Sequence, residues 1–371
     1  MRALVTGGAG FIGSHLVDGL LGEGHEVRVL DCLEPQVHGP SRKAPDYLNR
    51  NAELVIGDVR DRETVSRALD GVEAVFHHAA AVGVAQSMYE IERYVSANSL
   101  GAAILLEEIV KRRAGIRKVV VASSMSVYGE GAYRDENGKS VAPRPRPLAQ
   151  LERHAWELED AQGHPLTPIP TPESKPVDPT SVYAVTKLDH EQLFLVTGAA
   201  YSIPTVALRY FNTYGPRQAL SNPYTGLLAI VCSQLMNHNR PLVFEDGLQR
   251  RDFVHVSDVV RANILVLNSN AANGRAYNVG SGRAATVLEV IKRVSDRLRA
   301  VEMPEVSGRY RAGDIRHCFA DISCIQADLG FAPQMTLTEG IADLMPWIQS
   351  QQSTDNVRAA LENLKERVLI H

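Results

Sequence analysis

A tyrosine and a lysine four residues apart, Tyr183 and Lys187, sit in the run Tyr183-Ala184-Val185-Thr186-Lys187. On a helix that spacing brings the phenol and the ammonium to one face. A free phenol is a poor base at neutral pH, but a neighbouring cation favours its phenolate and suits it to taking a proton from a hydroxyl. The same spacing also occurs on ordinary solvated helices, so the pair acquires meaning only with a partner. Val119-Val120-Val121-Ala122 runs into Ser123-Ser124-Met125-Ser126-Val127-Tyr128-Gly129 and offers one. Hydroxyls at the carboxyl end of a sheet strand lie where doubly wound folds bind ligands, and a serine there would hold the substrate hydroxyl that loses its proton. Singly, such serines are turn or cap residues.

The chain opens with Thr6-Gly7-Gly8-Ala9-Gly10-Phe11-Ile12-Gly13, in which Gly7, Gly10 and Gly13 have GxxGxxG spacing, a variant of the usual GxGxxG. Glycines between a first strand and a first helix let backbone approach a pyrophosphate, which then meets the unpaired N–H groups of the helix start. A second strand, Val27-Arg28-Val29-Leu30, ends in Asp31, 18 residues past Gly13. There a carboxylate accepts a bond from an adenosine ribose and repels a 2′-phosphate, so NAD is expected rather than NADP. The alternative for Asp31 is a turn cap. Gly57-Asp58-Val59 closes a third strand, where Asp58 would meet the adenine edge.

Short apolar runs position these groups: Ala3-Leu4-Val5, the run to Leu30, Leu54-Val55-Ile56, Ala74-Val75-Phe76 and the run to Ala122. They read as strands buried on both faces. Helical stretches such as 12–21 and 104–111 lie between them, so the alternation predicts an α/β fold with a doubly wound parallel sheet. From about Gly131 to Thr180 the alternation fails. Nine of the 19 prolines fall in that stretch, which predicts a long surface excursion, a lid or a tolerated insertion, with one short helix near Leu151 to Asp160. Helix is expected again from Thr180 through Leu195, then a strand over Thr205–Phe211. A C-terminal helix from Asn356 to Leu369 would turn Val357, Leu361, Leu364 and Val368 to one face.

With 371 residues, 44% hydrophobic and 22% charged, the chain is expected to fold as a large α/β unit or as two lobes sharing a cleft. Its net charge of −4 gives no basic field for long nucleic acids. The cysteines Cys32, Cys232, Cys318 and Cys324 lack CxxC spacing and read as reduced thiols of a cytoplasmic protein. No signal peptide and no run of about 18 apolar residues is visible, so a soluble protein is expected. His77, His78, His255 and His317 are not spaced as a metal set, and no metal is expected.

Taken together, the TGGAGFIG start, the Ser-Ser-x-x-Val-Tyr-Gly strand end and the YxxxK pair resemble the extended short-chain dehydrogenase/reductases, in their branch of sugar-nucleotide epimerases and dehydratases. The resemblance covers nearly the whole chain, including Leu208-Arg209-Tyr210-Phe211-Asn212-Thr213-Tyr214-Gly215-Pro216-Arg217, Arg251-Asp252-Phe253-Val254-His255-Val256-Ser257-Asp258, Tyr277-Asn278-Val279-Gly280 and Arg311-Ala312-Gly313-Asp314. It implies a catalytic triad of Ser124, Tyr183 and Lys187, with Lys187 also touching the nicotinamide ribose. It further implies NAD along Gly7, Gly10, Phe11, Ile12, Gly13, Asp31, Asp58, Val59, Ala79 and Ala80, with Asn98 supporting the network. Asn212, Arg251, Arg311 and Asp314 would hold a nucleotide diphosphate, since guanidinium forks satisfy phosphate oxygens in pairs. A Rossmann lobe over 1–200, with later strands returning to it, a nucleotide-sugar lobe over 201–371 and a homodimer are also implied.

The family's chemistries share oxidation at sugar C4 and part on the fate of the 4-keto sugar. A 4,6-dehydratase carries an Asp-Glu pair after the catalytic hydroxyl residue, where this chain has Met125-Ser126, and the related decarboxylases carry a glutamate where Ser126 stands. The minimal triad suffices for 4-epimerization, with NAD retained. Pro35-Gln36-Val37-His38-Gly39, the excursion and the run from Arg309 to Asp321 look like a branch containing dTDP-L-rhamnose 4-epimerases, which yield a dTDP-6-deoxy-L-talose. The alternatives are a UDP-hexose or UDP-hexuronate 4-epimerase, a dehydratase or net oxidoreductase, and a non-catalytic NAD-binding regulatory protein.

Overall fold

The computed structural model describes residues 1–371 apart from 225, 312, 368, 369 and 371. Seven strands form the main sheet: β1 (Arg2–Thr6), β2 (Glu26–Asp31), β3 (Glu53–Ile56), β4 (Ala74–His77), β5 (Lys118–Ser124), β6 (Thr205–Tyr210) and β7 (Arg275–Val279). All run parallel, in the order β7-β6-β5-β4-β1-β2-β3. Alternate side chains feed two separate cores. Ala3, Val5, Val29, Phe76 and Val120 lie in one, and Leu4, Leu30, Val75, Val119 and Val121 in the other. A strand covered on both faces must be apolar at nearly every position, which is why these runs are continuous rather than alternating.

The winding reverses between β1 and β4, and ligands of such sheets bind in the crevice outside the carboxyl ends of the strands at that switch point. Gly7 follows β1 and Ala79 follows β4, so both lie at the crevice. Helix α1 (Phe11–Gly22) covers one face beside Val256–Asn268, whose Val259, Ala262 and Val266 share a core with Leu16, Val17 and Leu20. On the other face lie α2 (Gly101–Lys111) and α3 (Val182–Tyr201). Helix α3 runs six residues beyond Leu195 and stops at Ser202, which adopts the left-handed conformation (φ 54°). The turn just before α2, Val95–Leu100, is a π-helix that contains Asn98, a local winding for which the sequence carries no signal.

Many of the residues after β6 build a smaller unit, although β7 and the helix Val256–Asn268 belong with the main sheet. Arg250–His255 is its central strand, paired with Asn212–Tyr214, Ala284–Thr286 and His317–Cys318. Helices Leu227–Met236, Val287–Leu298 and Leu337–Ser350 close its core around Leu228, Val290 and Ile341.

The excursion is more ordered than its prolines suggest. Ser140–Val141, Ala132–Arg134 and Thr167–Ile169 form an antiparallel three-stranded sheet. Its helix is Leu148–Glu152 rather than 151–160. Pro147, with its fixed φ, starts the helix, and the left-handed His154 (φ 57°) follows its end. Beyond it Leu158 and Leu166 turn inward onto Tyr133, and Trp156 joins Leu151, contacts that an extended chain makes and a continued helix would forfeit. The last helix, α4 (Val357–Glu366), buries Leu361 and Leu364 as expected, while Val368 lies outside the described residues. Among the described residues no helix is long and apolar enough to cross a membrane.

Candidate active site

Strand β5 ends on Ser124, which caps the 3-10 turn Met125–Tyr128. The Ser124 hydroxyl oxygen accepts from the Ser126 amide (3.2 Å) and from the Ser126 hydroxyl (2.9 Å). With its oxygen so occupied, the Ser124 proton is left to donate, and the hydroxyl lies close enough to the Tyr183 phenol to hold its pKa down. Ser126 is therefore an orienting residue that its sequence position alone does not reveal.

Ser181 caps α3 by accepting from the Ala184 amide (3.1 Å), which sets Tyr183 in the first turn and Lys187 one turn on. The Tyr183 amide donates to the Ser87 hydroxyl (3.0 Å). Lys187 is buried and donates to the Ala122 carbonyl on β5 (2.8 Å). Triad residues on two elements are thus brought together. Burial lowers the Lys187 ammonium to about 7 and pushes the Tyr183 phenol up to about 12, partly relieved by the neighbouring Ser124 hydroxyl. In this geometry burial, rather than the neighbouring ammonium, governs the phenol.

Asn98 is fully buried beside this pair. Its Oδ1 accepts from the Ala81 amide (2.7 Å), and its Nδ2 donates to the Thr186 hydroxyl (2.9 Å) and the Ala81 carbonyl (3.2 Å). Every polar atom of its amide serves the protein, so Asn98 fastens the Ala79-Ala80-Ala81 loop to α3.

The cofactor cradle is mostly backbone. Gly7 takes a left-handed φ of 69°, and a Cβ on it would stand 2.7 Å from the Ala79 amide nitrogen. A Cβ on Gly13 would stand 2.2 Å from the Gly7 carbonyl oxygen. No side chain caps the start of α1 at Gly10, so the N–H groups of its first turn, at Phe11 and Ile12, are available to an anion. Asp31 is buried at the end of β2 and accepts from the Ala9 and Leu33 amides (2.9 Å each). It ties the glycine turn to the second strand at the place where a ribose acceptor belongs. Asp58 is held as a carboxylate by a fork with Arg60 (2.6 and 2.9 Å), which lowers its pKa. Val59 packs into the core against Gly101. Asp58, expected at the adenine edge, is thus joined by Arg60, an arginine that no sequence motif singled out. The close-approach glycines, the uncapped helix start and the buried Asp31 fit a dinucleotide.

Strand register carries the site across to the substrate side. Ser124 pairs with Tyr210, Asn212 lies two residues further on, and Asn212 pairs with Phe253, two residues from Arg251. The Asn212 Oδ1 is buried with no protein partner, an acceptor whose desolvation is unrepaid within the chain. Arg251 donates to the carbonyls of Arg250 (3.0 Å), Arg316 (2.9 Å) and Ile315. Arg311 stacks on Phe244, 4.5 Å from the ring centroid, and its Nε lies 3.3 Å from Asp314 Oδ2. Burial alone would raise the Asp314 carboxyl, but Arg311, Arg251 and Arg146 outweigh it and hold the group below its usual value. Arg251, Arg311 and Asp314 therefore converge, and Asn212 lies on the strand beside that of Arg251. Phe244 and Arg146 join them, and neither belongs to a motif that would have singled it out. Among the described residues no three metal-ligating side chains meet.

Comparison with known proteins agrees with this geometry. The model of the NAD-dependent epimerase/dehydratase family matches residues 3–149 and 161–280. A dTDP-L-rhamnose 4-epimerase of Burkholderia thailandensis is 36% identical over 358 residues, covering 96% of this chain and 97% of that protein. A putative UDP-glucose 4-epimerase of Methanocaldococcus jannaschii is 30% identical, covering 95% and 99%. Among solved structures, a UDP-glucose 4-epimerase of Thermotoga maritima with UDP-glucose superposes with a TM-score of 0.77 at 30% identity, covering 94% of this chain and 99% of that one. A UDP-glucuronic acid 4-epimerase of Bacillus cereus with UDP-glucuronic acid and NAD gives a TM-score of 0.75 at 27% identity, with the same coverage.

Proposed function

The chain belongs to the NAD-dependent epimerase/dehydratase family, and from that premise we propose that it is a nucleotide-sugar 4-epimerase whose substrate is dTDP-L-rhamnose and whose product is a dTDP-6-deoxy-L-talose. The observation that carries the reaction type is the content of the turn after Ser124. Met125 has no proton to give, and the Ser126 hydroxyl is committed to Ser124. The Tyr128 phenol is buried and donates to Asn278 Oδ1, so no group in that turn is free to shuttle protons for loss of water, and reduction back to an alcohol is the outlet left to a 4-keto sugar. NAD, when bound, supplies the chemistry by accepting a hydride from C4 and returning it to the opposite face of the ketone, without net redox change.

The protein's part is binding and proton handling. Ser124 orients the C4 hydroxyl, Tyr183 Oη takes its proton and later gives it back, and Lys187, fixed by the Ala122 carbonyl, stands beside the cofactor ribose. Arg251 and Arg311 grip the diphosphate at one end, leaving the hexose free to turn about that anchor between the two half-reactions. The B. thailandensis relative favours dTDP-L-rhamnose, and the solved neighbours favour a UDP-hexose or UDP-hexuronate. We further propose a homodimer through α2 and α3, where Leu100, on the π-turn leading into α2, and Val185 and Val196 of α3 are exposed apolar side chains. In solution it would weigh twice the chain, and a monomer would refute it.

The deciding experiment incubates purified protein with dTDP-L-rhamnose, and separately with UDP-glucose, without added reductant. An isomer of unchanged mass from the first is expected. Loss of water, or a stoichiometric demand for NADH, would sink the epimerase reading, and turnover of UDP-glucose alone would reassign the substrate. Tyr183→Phe should lower turnover by about two to four orders of magnitude, the usual contribution of a positioned acid–base group.

A further inference from the structure

The proline-rich excursion has no part in the catalytic triad or the cofactor cradle, yet its side chains converge on one stretch, residues 308–317, which carries Arg311 and Asp314. At its near end Tyr310 is buried against Trp156 of the excursion, ring centroids 6.0 Å apart, with Leu151 completing the cluster. In its middle the Asp314 carbonyl accepts from Arg146 Nη2 (2.9 Å). At its far end Glu157 accepts from Arg316 Nη2 (2.6 Å) and pairs with His317 Nε2 (2.8 Å). Three fastenings on one loop, all from residues 146–157, are more than an inserted surface segment requires.

The same residues also fix what Arg311 rests on. Arg146 makes a 2.8 Å ion pair with Glu245 Oε1, with only 3% and 2% of the two side chains exposed. The wholly buried Arg316 reaches Glu245 Oε2 (2.9 Å) and Asp246 (2.6 Å). Glu245 holds a left-handed φ of 52°, a conformation a non-glycine residue keeps only when its surroundings impose it. The residue before it is Phe244, the ring under Arg311. Gly308 and Gly313 flank Arg311 at positive φ, a conformation that glycine adopts without strain. Arg251 depends on the loop as well, because two of its fork bonds end on the carbonyls of Ile315 and Arg316.

We propose that Arg146 and Glu157 are positioning residues for the substrate diphosphate, bracing the 308–317 loop and the Phe244 platform so that Arg251 and Arg311 stand ready to receive it. The inference rests on the nucleotide-sugar reading above. It assigns the excursion as a fixed brace behind the diphosphate site rather than a lid over it. Neither residue touches the reacting carbon, so their effect should fall on affinity for the diphosphate and not on the chemical step.

The test uses full-length protein with Arg146→Gln, Glu157→Gln and Arg146→Lys, and dTDP, UDP, thymidine and uridine as competitive inhibitors of the epimerase reaction. Both glutamine variants should raise KM and weaken the better of the two nucleoside diphosphates about tenfold or more. Turnover at saturating substrate, bound NAD and inhibition by the matching nucleoside should stay within about twofold of wild type. Arg146→Lys should recover part of the loss, since it keeps the charge but not the fork. Unchanged diphosphate affinity in a folded variant overturns the proposal, as does an equal loss for nucleoside and diphosphate, or a fall in kcat without a rise in KM. If Arg146→Gln does not fold, Glu157→Gln decides alone, because a glutamine there keeps the size and one acceptor of the partly exposed Glu157. Wild-type protein that binds neither diphosphate overturns the nucleotide-sugar reading and this inference with it. Wild-type binding with unaffected variants removes only the inference.

Discussion

The two halves of the site are made of different material. Around the cofactor the protein presents backbone, with Gly7 and Gly13 packed so closely that a Cβ on either would enter the space of another main-chain atom. Around the proposed diphosphate site it presents charged side chains drawn from Arg146, Glu157, Glu245, Arg251, Arg311 and Arg316, where the contacts of Arg316 with Arg251, Glu245 and Glu157 bridge 65, 71 and 159 residues of sequence. A backbone site tolerates no added atoms, because its geometry is its chemistry. A charge site tolerates change of shape but not loss of a partner, since a buried ion left alone costs several kcal/mol.

The largest effect that this contrast predicts is at Gly13. A methyl group 2.2 Å from the Gly7 carbonyl forces the turn to move, an overpacking cost of about 1–3 kcal/mol that falls on the pyrophosphate cradle. Gly13→Ala should therefore weaken NAD by about 10- to 100-fold, read as loss of copurifying nucleotide and as added NAD needed for half-maximal activity. Equal retention of NAD would mean that the cradle is not built from this turn. On the other side, Arg251→Lys keeps the charge while losing the fork that reaches two carbonyls of the loop. KM should rise about tenfold with NAD content unchanged. A fall in bound NAD would show the two halves to be coupled rather than separate.

The same contrast explains what sequence reading reaches. Gly7, Gly10, Gly13 and Asp31 lie within the first strand–helix–strand unit, where steric demand leaves a spacing that can be read, and the buried strands announce themselves because both faces are apolar. The Tyr183–Lys187 pair is likewise local to one helix. Arg146, Phe244 and Arg316 carry no such signature. Each matters through a partner far along the chain, and an arginine bound for a buried ion pair has the same neighbours in sequence as one on the surface. The helix expected over 151–160 failed for a related reason. Local periodicity could not anticipate that Trp156 and Leu158 are claimed by Tyr310, Tyr133 and Leu166. Nor could the spacing of Tyr183 and Lys187 foretell that burial would dominate both pKa values.

Where the halves meet, the buried Lys187 predicts the smallest effect and one of definite sign. Its folded pKa is lowered to about 7 from the unfolded value of about 10.4, so below pH 7 both states are protonated and burial of the ammonium is a full penalty. Between about pH 7 and pH 10 the unfolded chain binds the extra proton, and stability rises with pH as the penalty is relieved. Tyr183 acts oppositely and later. Its phenol, raised to about 12, keeps its proton in the fold when the unfolded chain has lost it, so stability falls as pH climbs above about 10. In protein stripped of NAD, Lys187→Met should abolish the rise between pH 7 and pH 9 and leave the later fall in place. Loss of the bond to Ala122 is a constant offset and drops out of the slope. On the order of 1–2 kcal/mol is at stake over that interval, a shift of a few degrees in Tm for a chain of this size. A wild-type Tm profile parallel to that of Lys187→Met would place the ammonium in water, and would take the lysine out of the seam between cofactor and substrate.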